Sequence, residues 1–293
     1  MRIFVTGASG WIGSAVVPEL IGTGHQVLGL ARSDASAKAV ADMGAEVLRG
    51  DLNDTDALRA GALDCEGVIH LGFVVPSVSE AATQTDSTAI ETFVTGLAGS
   101  GKPMAISGGT LVTPGRRATE RDELIAAGPI AARITNMQAA LAAADRGVRC
   151  CLVMLPRSVH GKGERHGFVP QLIAEARAKG VSGYIGDGTN RWPAVNVKDA
   201  ASLYRLAVEK APAGAVLNAV GDEGVPVREI AEAIGRCLNL PARSLPAKEF
   251  GGMLGHILSR DMPASSTITQ ELLGWKPTHP GLIEDIEQGH YFV

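Results

Sequence analysis

Short apolar runs and longer amphipathic segments alternate along most of the chain. Arg2–Thr6 is rich in β-branched and aromatic residues and predicts a strand, whereas Ser14–Ile21 predicts a helix. Further strands are predicted at Gly24–Ala31, Ala45–Leu52, Gly67–Val74, Lys102–Thr110, Val148–Leu155 and Ala215–Val220. Further helices are predicted at Glu80–Leu97, Ala131–Arg146, Phe168–Lys179, Ala200–Lys210 and Val227–Leu238, with one ending at Gly44 and one beginning near Thr55.

Three glycines separate the first predicted strand from the first predicted helix. Their spacing, Gly-x-x-Gly-x-x-Gly, permits a tight turn, a close approach of the backbone to a diphosphate, and packing of the helix against the strand. The unpaired N–H groups at the helix N-terminus favour an anion there. The predicted dinucleotide contacts are Gly7, Ser9, Gly10, Trp11, Ile12 and Gly13. The alternative is a turn with a purely structural role.

The alternation of strands and helices, together with this turn, predicts the fold class. We expect an α/β protein with a doubly wound parallel-sheet Rossmann fold and a smaller C-terminal α/β substrate domain. A chain of 293 residues is long enough for both. The predicted division is a dinucleotide-binding domain at 1–155 and a substrate-binding part at 156–293, interleaved with the first near 190–225.

The segment Thr6-Gly-Ala-Ser-Gly-Trp-Ile-Gly13 resembles the nucleotide fingerprint of the short-chain dehydrogenase/reductase superfamily, in its extended or atypical branch that includes the NAD-dependent epimerase/dehydratases. The resemblance implies an adenine contact at Asp51-Leu52 and contacts to the cofactor ribose and diphosphate after the fourth strand. An alternative role for Asp51 is the N-cap of the helix near Thr55. The cofactor contacts expected outside the glycine turn and the second strand are Asp51, Leu52, Leu71, Gly72, Phe73, Arg133, Pro156 and Ser158.

The end of the second predicted strand indicates which cofactor binds. An NAD site places an acidic residue here to bind the ribose hydroxyls, but this chain has Ala31 followed by Arg32 and Ser33. A guanidinium can hold a 2′-phosphate, so the sequence favours NADP(H) over NAD(H). The alternative is a solvated arginine that pairs with Asp34.

Ser107 lies near the carboxyl end of the fifth predicted strand and its exit loop, at the edge where an open parallel sheet places its active site. The resemblance implies that Ser107 helps to hold the reacting carbonyl or hydroxyl group. The alternative is a serine that only orders the loop.

The Tyr-x-x-x-Lys pair that the resemblance implies is missing from the next helix. Its two positions fall on Arg133 and Met137, and no lysine occurs between Lys102 and Lys162. Arginine cannot exchange a proton at neutral pH, although it can bind the cofactor ribose or an anionic substrate. Loss of a general acid lowers the rate by roughly 10²–10⁴.

Other residues must then supply the proton or bind the substrate. The candidate proton donors are Ser107, Thr110, Thr135 and His160. His160 has the most suitable pKa for this role, and the alternative is a packed histidine at a strand exit. Thr110, Arg191 and Trp192 are expected to contact substrate, the last two alternatively as a stacked pair at the domain junction. Gly161–Gly167 is expected to act as a lid, and Asp199 to cap the helix that follows.

Composition narrows the class of partner. The net charge of −4 and the lack of a long basic run argue against nucleic acid and anionic membranes as partners. The four cysteines lack metal-ligand spacing, so we expect no metal site. No apolar stretch is long enough to span a membrane, which predicts a soluble cytoplasmic protein. The resemblance also implies a homodimer formed through the helix Glu80–Leu97.

These observations favour an NADP(H)-dependent oxidoreductase of the atypical extended short-chain type, acting on a small or medium polar carbonyl or alcohol. The second hypothesis is a non-catalytic NADP(H)-binding sensor, because the acid/base pair is missing. A sugar-nucleotide epimerase or dehydratase is the third, and that chemistry needs a base that removes and returns protons efficiently.

Overall fold

The computed structural model describes residues 1–73 and 79–293. Its strands are β1 (Arg2–Thr6), β2 (Gln26–Ala31), β3 (Glu46–Arg49), β4 (Gly67–His70), β5 (Pro103–Gly109), β6 (Arg149–Leu155), β7 (Ser158–His160), β8 (Ser182–Tyr184), β9 (Arg191–Asn196), β10 (Ala215–Asn218), β11 (Asp222–Pro226) and β12 (Ala242–Ser244). Its helices are α1 (Gly13–Gly22), α2 (Asp34–Asp42), α3 (Thr55–Asp64), α4 (Glu80–Leu97), α5 (Ala131–Ala142), α6 (Phe168–Lys179), α7 (Val197–Lys210), α8 (Val227–Leu238), α9 (Gly252–Leu258), α10 (Thr267–Leu273) and α11 (Leu282–Glu287).

Seven parallel strands form the main sheet, in the order β10-β6-β5-β4-β1-β2-β3. This order confirms the predicted doubly wound parallel sheet. β1, an interior strand of this sheet, is buried on both faces, since Ile3, Phe4 and Val5 are fully inaccessible. Ile3 and Val5 pack in a core with α1 and α7, whereas Phe4 packs in a second core with α3 and α4. A strand covered on both sides needs an unbroken apolar run, as the sequence has here.

The second half of the chain builds a smaller lobe and also contributes to the main sheet. β7, β9 and β11 form a three-stranded sheet, and β8 pairs with β12. A separate core, which includes Trp192, Ile230 and Phe250, lies between these strands and α6, α8 and α9. After β9 the chain returns through α7 to β10, which lies beside β6. The division of the chain into two domains stays a prediction.

Several predicted boundaries need correction. The fourth strand ends at His70, and the predicted end at Val74 lies outside the described residues. Asp54, not Asp51, caps α3 by accepting a hydrogen bond from the Ala57 N–H. Asn196, not Asp199, caps α7 because that helix begins three residues earlier than predicted.

Within the described residues, no helix is both long and apolar enough to cross a membrane.

Candidate functional site

The turn after β1 is closed so tightly that side chains would not fit at two of its glycines. Gly7 has φ +66°, and a Cβ there would lie 2.8 Å from the backbone nitrogen of Gly72. A Cβ on Gly13 would lie 2.2 Å from the carbonyl oxygen of Gly7. Gly10 is exposed, and its N–H donates to the Gly7 carbonyl at 2.9 Å. The turn therefore presents bare backbone at the carboxyl edge of the sheet.

The N-terminus of α1 has unused hydrogen-bond donors. Ile12, at the N-cap position, provides no side-chain cap, and the first turn contains no acidic residue. Among the described residues, the N–H groups of Trp11, Ile12 and Gly13 have no hydrogen-bond partner. Ser9 is exposed beside them. N–H groups at the positive end of a helix dipole bind phosphate, so this turn fits the diphosphate of a dinucleotide.

Arg32 lies exposed just beyond the end of β2. Asp34, the nearby carboxylate that could pair with Arg32, pairs with Arg49 instead, with Oδ1 2.8 Å from Nη2. Arg32 forms no ion pair with any residue that the structure describes. Ser33 caps α2, because its Oγ accepts from the Ser36 N–H at 3.2 Å. A guanidinium without a carboxylate at this strand end fits a 2′-phosphate, which supports the NADP(H) prediction.

The residues after β3 and β4 line the glycine turn. The Leu52 side chain packs against Gly72, where a Cβ would lie 3.1 Å from a Leu52 methyl group. The Gly72 N–H donates to the Thr6 hydroxyl at 3.1 Å, and Leu71 packs against the core under α1. Asp51 is exposed and accepts from the Asn53 N–H at 2.7 Å. The fold thus brings Leu52, Leu71 and Gly72 beside Gly7.

Arg133 occupies the position where the resemblance expects tyrosine. One of its amino groups forms an ion pair with Asp86, and Nη2 donates to the Ser107 carbonyl at 2.7 Å. The centre of the guanidinium lies 4.3 Å from the centroid of the Phe73 ring. The side chain is 16% exposed, so it retains an open edge. Arg133 is a fixed cation at the carboxyl ends of β4 and β5, and it cannot act as a proton donor.

A buried polar network under Arg133 holds it in place. Asp86 is 1% exposed and accepts a hydrogen bond from the Asn136 amide at 2.7 Å. The His70 ring lies between Asp86, at 3.4 Å, and the Thr6 hydroxyl, at 2.7 Å. Burial alone would raise the pKa of Asp86, but the His70 hydrogen bond and the Arg133 charge outweigh it and lower that pKa. Asp86 is therefore ionised and compensates Arg133.

Ser107 faces the opposite side of the sheet from Arg133. Its hydroxyl lies 2.7 Å from the hydroxyl of Tyr204 on α7 and donates to the His70 carbonyl at 3.2 Å. Tyr204 is fully buried, and burial raises the pKa of its hydroxyl group. Both hydrogen bonds of Ser107 are made within the fold, which favours a structural role, but Ser107 lies inside β5 and its partners are on β4 and α7, so it does not order a loop. The role of Ser107 in holding substrate remains a prediction.

The other candidate proton donors differ in access. His160 is fully buried, and its Nδ1 lies 3.0 Å from Asp285 Oδ2, which supports the packed-histidine alternative. Thr135 is exposed, and its hydroxyl donates to the Ala131 carbonyl at 3.2 Å. Thr110 is half-buried at the strand edge, where its N–H donates to the Leu155 carbonyl at 2.8 Å. Among these candidates, Thr110 is therefore the residue that directly follows the carboxyl end of β5.

The predicted substrate residues of the second lobe do not form a stacked pair. Arg191 pairs with Asp261 through two hydrogen bonds of 3.0 and 2.8 Å. Trp192 is 1% exposed and packs edge-on against Phe168, with ring centroids 5.7 Å apart. Arg191 thus points to Asp261, while Trp192 faces the start of α6.

The predicted cofactor contacts Pro156 and Ser158 follow β6 and are both buried.

The loop Gly161–Gly167 contains a buried glutamate, Glu164, that the lid prediction did not include. Glu164 is 7% exposed, and its Oε2 accepts from the Tyr291 hydroxyl at 2.7 Å. The Gly161 N–H donates to the same hydroxyl at 3.0 Å, and Asp285 Oδ2 lies 3.2 Å from it. Burial raises the pKa of Glu164 to about 7, and the nearby Asp285 charge adds to the effect.

Trp11 connects this loop to the glycine turn. Its indole N–H donates to the Val159 carbonyl at 2.7 Å. Its ring lies 3.8 Å from where a Cβ on Gly161 or Gly163 would stand. The Trp11 side chain therefore joins the glycine turn to the loop Gly161–Gly167.

Three of these features were missed from the sequence: Asp86, Tyr204 and Glu164. Asp86 carries a usable signal, because it lies in the apolar stripe of α4 formed by Ala82, Ala89 and Phe93. A charged residue on a buried face is rare unless it is paired. Tyr204 and Glu164 carry no such signal, since their partners are distant in the sequence.

Comparison with known proteins agrees with this geometry. Residues 3–98 and 119–219 match the sequence model of the NAD dependent epimerase/dehydratase family. The uncharacterized protein YLL056C of Saccharomyces cerevisiae is 45% identical over 297 residues, covering 99% of both chains. A UDP-glucose 4-epimerase of Streptomyces lividans is 26% identical over 96% of this chain and 93% of its own length.

The fold also matches that of a solved structure. The UDP-glucose 4-epimerase of Thermus thermophilus, in complex with NAD, superposes with a TM-score of 0.76 and is 20% identical, covering 99% of each chain. At this identity the likeness shows the fold alone.

Proposed function

Because the chain belongs to the NAD dependent epimerase/dehydratase family, we propose that it is an NADP(H)-dependent oxidoreductase that lacks the Tyr-x-x-x-Lys pair. The substrate is a small or medium polar carbonyl or alcohol. The observation that carries the proposal is the glycine turn, whose spare N–H groups fit a diphosphate while Arg32 stands without a carboxylate partner. The bound nicotinamide would supply or accept the hydride.

In this proposal the chain's own residues bind and orient the reactants. The turn from Gly7 to Gly13 holds the diphosphate, and Arg32 holds the 2′-phosphate. Arg133 donates hydrogen bonds from a position fixed by Asp86 and the Ser107 carbonyl, toward the ribose or a developing oxyanion. The proton comes from water or from the Thr110 hydroxyl, because Arg133 keeps its own proton.

Calorimetric titration with NADPH and NADH tests the cofactor assignment. Arg32→Asp is expected to weaken NADPH binding by about tenfold or more and to leave NADH binding unchanged, because it replaces the 2′-phosphate partner with a repelling charge. Arg59→Asp, an equal charge change on the exposed face of α3, should change neither affinity. If Arg32→Asp weakens the binding of NADPH and of NADH equally, Arg32 does not bind the 2′-phosphate.

Turnover tests the reaction. NADPH oxidation is measured against a panel of aldehydes, ketones and 2-oxo acids, and at least one is expected to react slowly. The second candidate, a non-catalytic NADP(H) sensor, is favoured by the internal hydrogen bonds of Ser107 and the complete burial of His160. Tight NADPH binding without oxidation by any substrate would establish the sensor and exclude the enzyme.

We also propose that the chain forms a homodimer through α4. Sedimentation velocity measures the mass of the assembly and so tests this proposal.

A further inference from the structure

Arg157 lies between the two lobes in an unusual electrostatic setting. It follows β6, whose last residue, Leu155, pairs with Gly109 at the carboxyl edge of the main sheet. The guanidinium carbon lies 5.5 Å from the centroid of the Phe168 ring, and Nη2 contacts the sulfur of Met262 at 3.7 Å. Arg157 forms no ion pair with any carboxylate in the described part of the chain. Burial and the charge of Arg260 both lower its pKa.

Two hydrogen-bond donors in this cluster are buried without a partner. Nε of Arg157 and Nε1 of Trp192 have no acceptor among the described residues. Both groups can only donate, so a ligand that satisfies them must accept hydrogen bonds. An unsatisfied buried donor costs free energy, and a buried cation without a counterion costs more. The Trp192 ring is joined to Arg157 through Phe168, with which both are in contact.

Ser158 adds a further unsatisfied group at this place, whereas the N-terminus of α6 does not. Phe168 is the first residue of that helix, and its first turn contains no acidic residue. The Glu164 carboxyl group nevertheless lies against the N-cap, since a Cβ on Gly167 would collide with Glu164 Oε1. Ser158 is 2% exposed, its hydroxyl is likewise unpaired, and its register partner Ala194 shares a sheet face with Trp192. The charge of Arg157 and the unpaired donors of Arg157 and Trp192 therefore favour a negatively charged acceptor.

We infer that Arg157 and Trp192 form an anchor for an oxyanion group, a carboxylate or a phosphate, carried by the substrate. The anchor stands beside the edge where β5 and β6 end, so the reacting carbonyl would extend from it toward Thr110 and Arg133. This inference rests on the proposed function, which places the hydride donor at that edge. The substrate class is then an anionic carbonyl or alcohol.

Binding of inorganic phosphate and of pyruvate tests the anchor by calorimetry at constant ionic strength. Each anion is titrated with and without saturating NADPH, which blocks the diphosphate turn. The wild type is expected to bind at least one anion saturably, and Arg157→Gln to weaken that binding by about tenfold or more. Arg243→Gln, which removes an exposed charge far along the chain, should leave it unchanged. Phosphate preference indicates a phosphorylated substrate, and pyruvate preference indicates a carboxylate.

A second variant distinguishes loss of anion binding from loss of folding. Trp192→Phe keeps an aromatic ring against Phe168 but removes the indole N–H, so it should fold and bind the anion several-fold more weakly. Absence of saturable binding in the wild type, or equal affinity in wild type and Arg157→Gln, would overturn the inference. Anion binding that depends on Arg157 in a protein that does not bind NADPH would support the anchor while refuting the proposed function.

Discussion

Glu164 makes the stability of the protein depend on pH in a direction that follows from its surroundings. Its carboxyl group is buried in the loop Gly161–Gly167, against the Tyr291 hydroxyl and near Asp285. His160 and His290 face the same Asp285 carboxylate, at 3.0 and 3.7 Å. Because burial disfavours the charged carboxylate and the nearby Asp285 charge adds to this effect, the pKa of Glu164 is raised from 4.5 to about 7.

The size of the effect follows from the pKa difference between the folded and unfolded states. Each pKa unit corresponds to about 1.4 kcal/mol. The difference between about 7 and 4.5 therefore corresponds to about 3 kcal/mol. The folded state binds the proton more tightly, so this stability is fully present below the unfolded pKa of 4.5 and is lost as the pH rises through about 7.

Glu164→Gln isolates this contribution. Glutamine still accepts the Tyr291 hydrogen bond and carries no charge at any pH. We expect wild type and variant to have similar free energies of unfolding near pH 4.5, and the variant to be more stable by about 3 kcal/mol at pH 8. Urea denaturation at several pH values measures the difference. Glu271→Gln, on the exposed face of α10, is the matched control.

The pH dependence of the stability difference is a separate prediction from its size at pH 8. The difference between the two proteins should grow mainly between pH 4.5 and about 7. A difference that is constant across this range, or a variant less stable than wild type at pH 8, would refute the claim that the folded state holds a protonated Glu164.

Two further predictions concern the ion pair of Asp86 with Arg133 and the glycine turn. Asp86→Asn leaves Arg133 without its buried counterion and is expected to lower the free energy of unfolding by about 3 kcal/mol or more, measured by urea denaturation; a loss no larger than that of the exposed Asp42→Asn would contradict the network. Gly13→Ala places a Cβ 2.2 Å from a carbonyl oxygen and should weaken NADPH binding by at least about tenfold, whereas Gly22→Ala in the same helix meets no atom within 4 Å and should bind normally. Equal affinities in these two alanine variants would mean that the turn does not hold the cofactor.

The sequence determined the fold class because its signals are local. Short apolar runs such as Arg2–Thr6, rich in β-branched and aromatic residues, favour buried strands, and the glycines at 7 and 13 mark a turn that excludes side chains. Helix ends were less certain, since several polar residues compete for each cap, as Asp51 and Asp54 do.

Only the tertiary structure decided which polar groups meet. Asp34 pairs with Arg49 and leaves Arg32 exposed, although Arg32 is nearer in sequence. Asp86 and Arg133 are brought together from separate helices by the packing of α4 against α5. Such pairings depend on how strands and helices pack across tens of residues, and the free energy of a buried charge is set by every group around it. The hydrophobic periodicity of the sequence contains no information about those neighbours. The sequence therefore predicts the strands and helices, whereas the tertiary structure determines which charged groups pair at the candidate site.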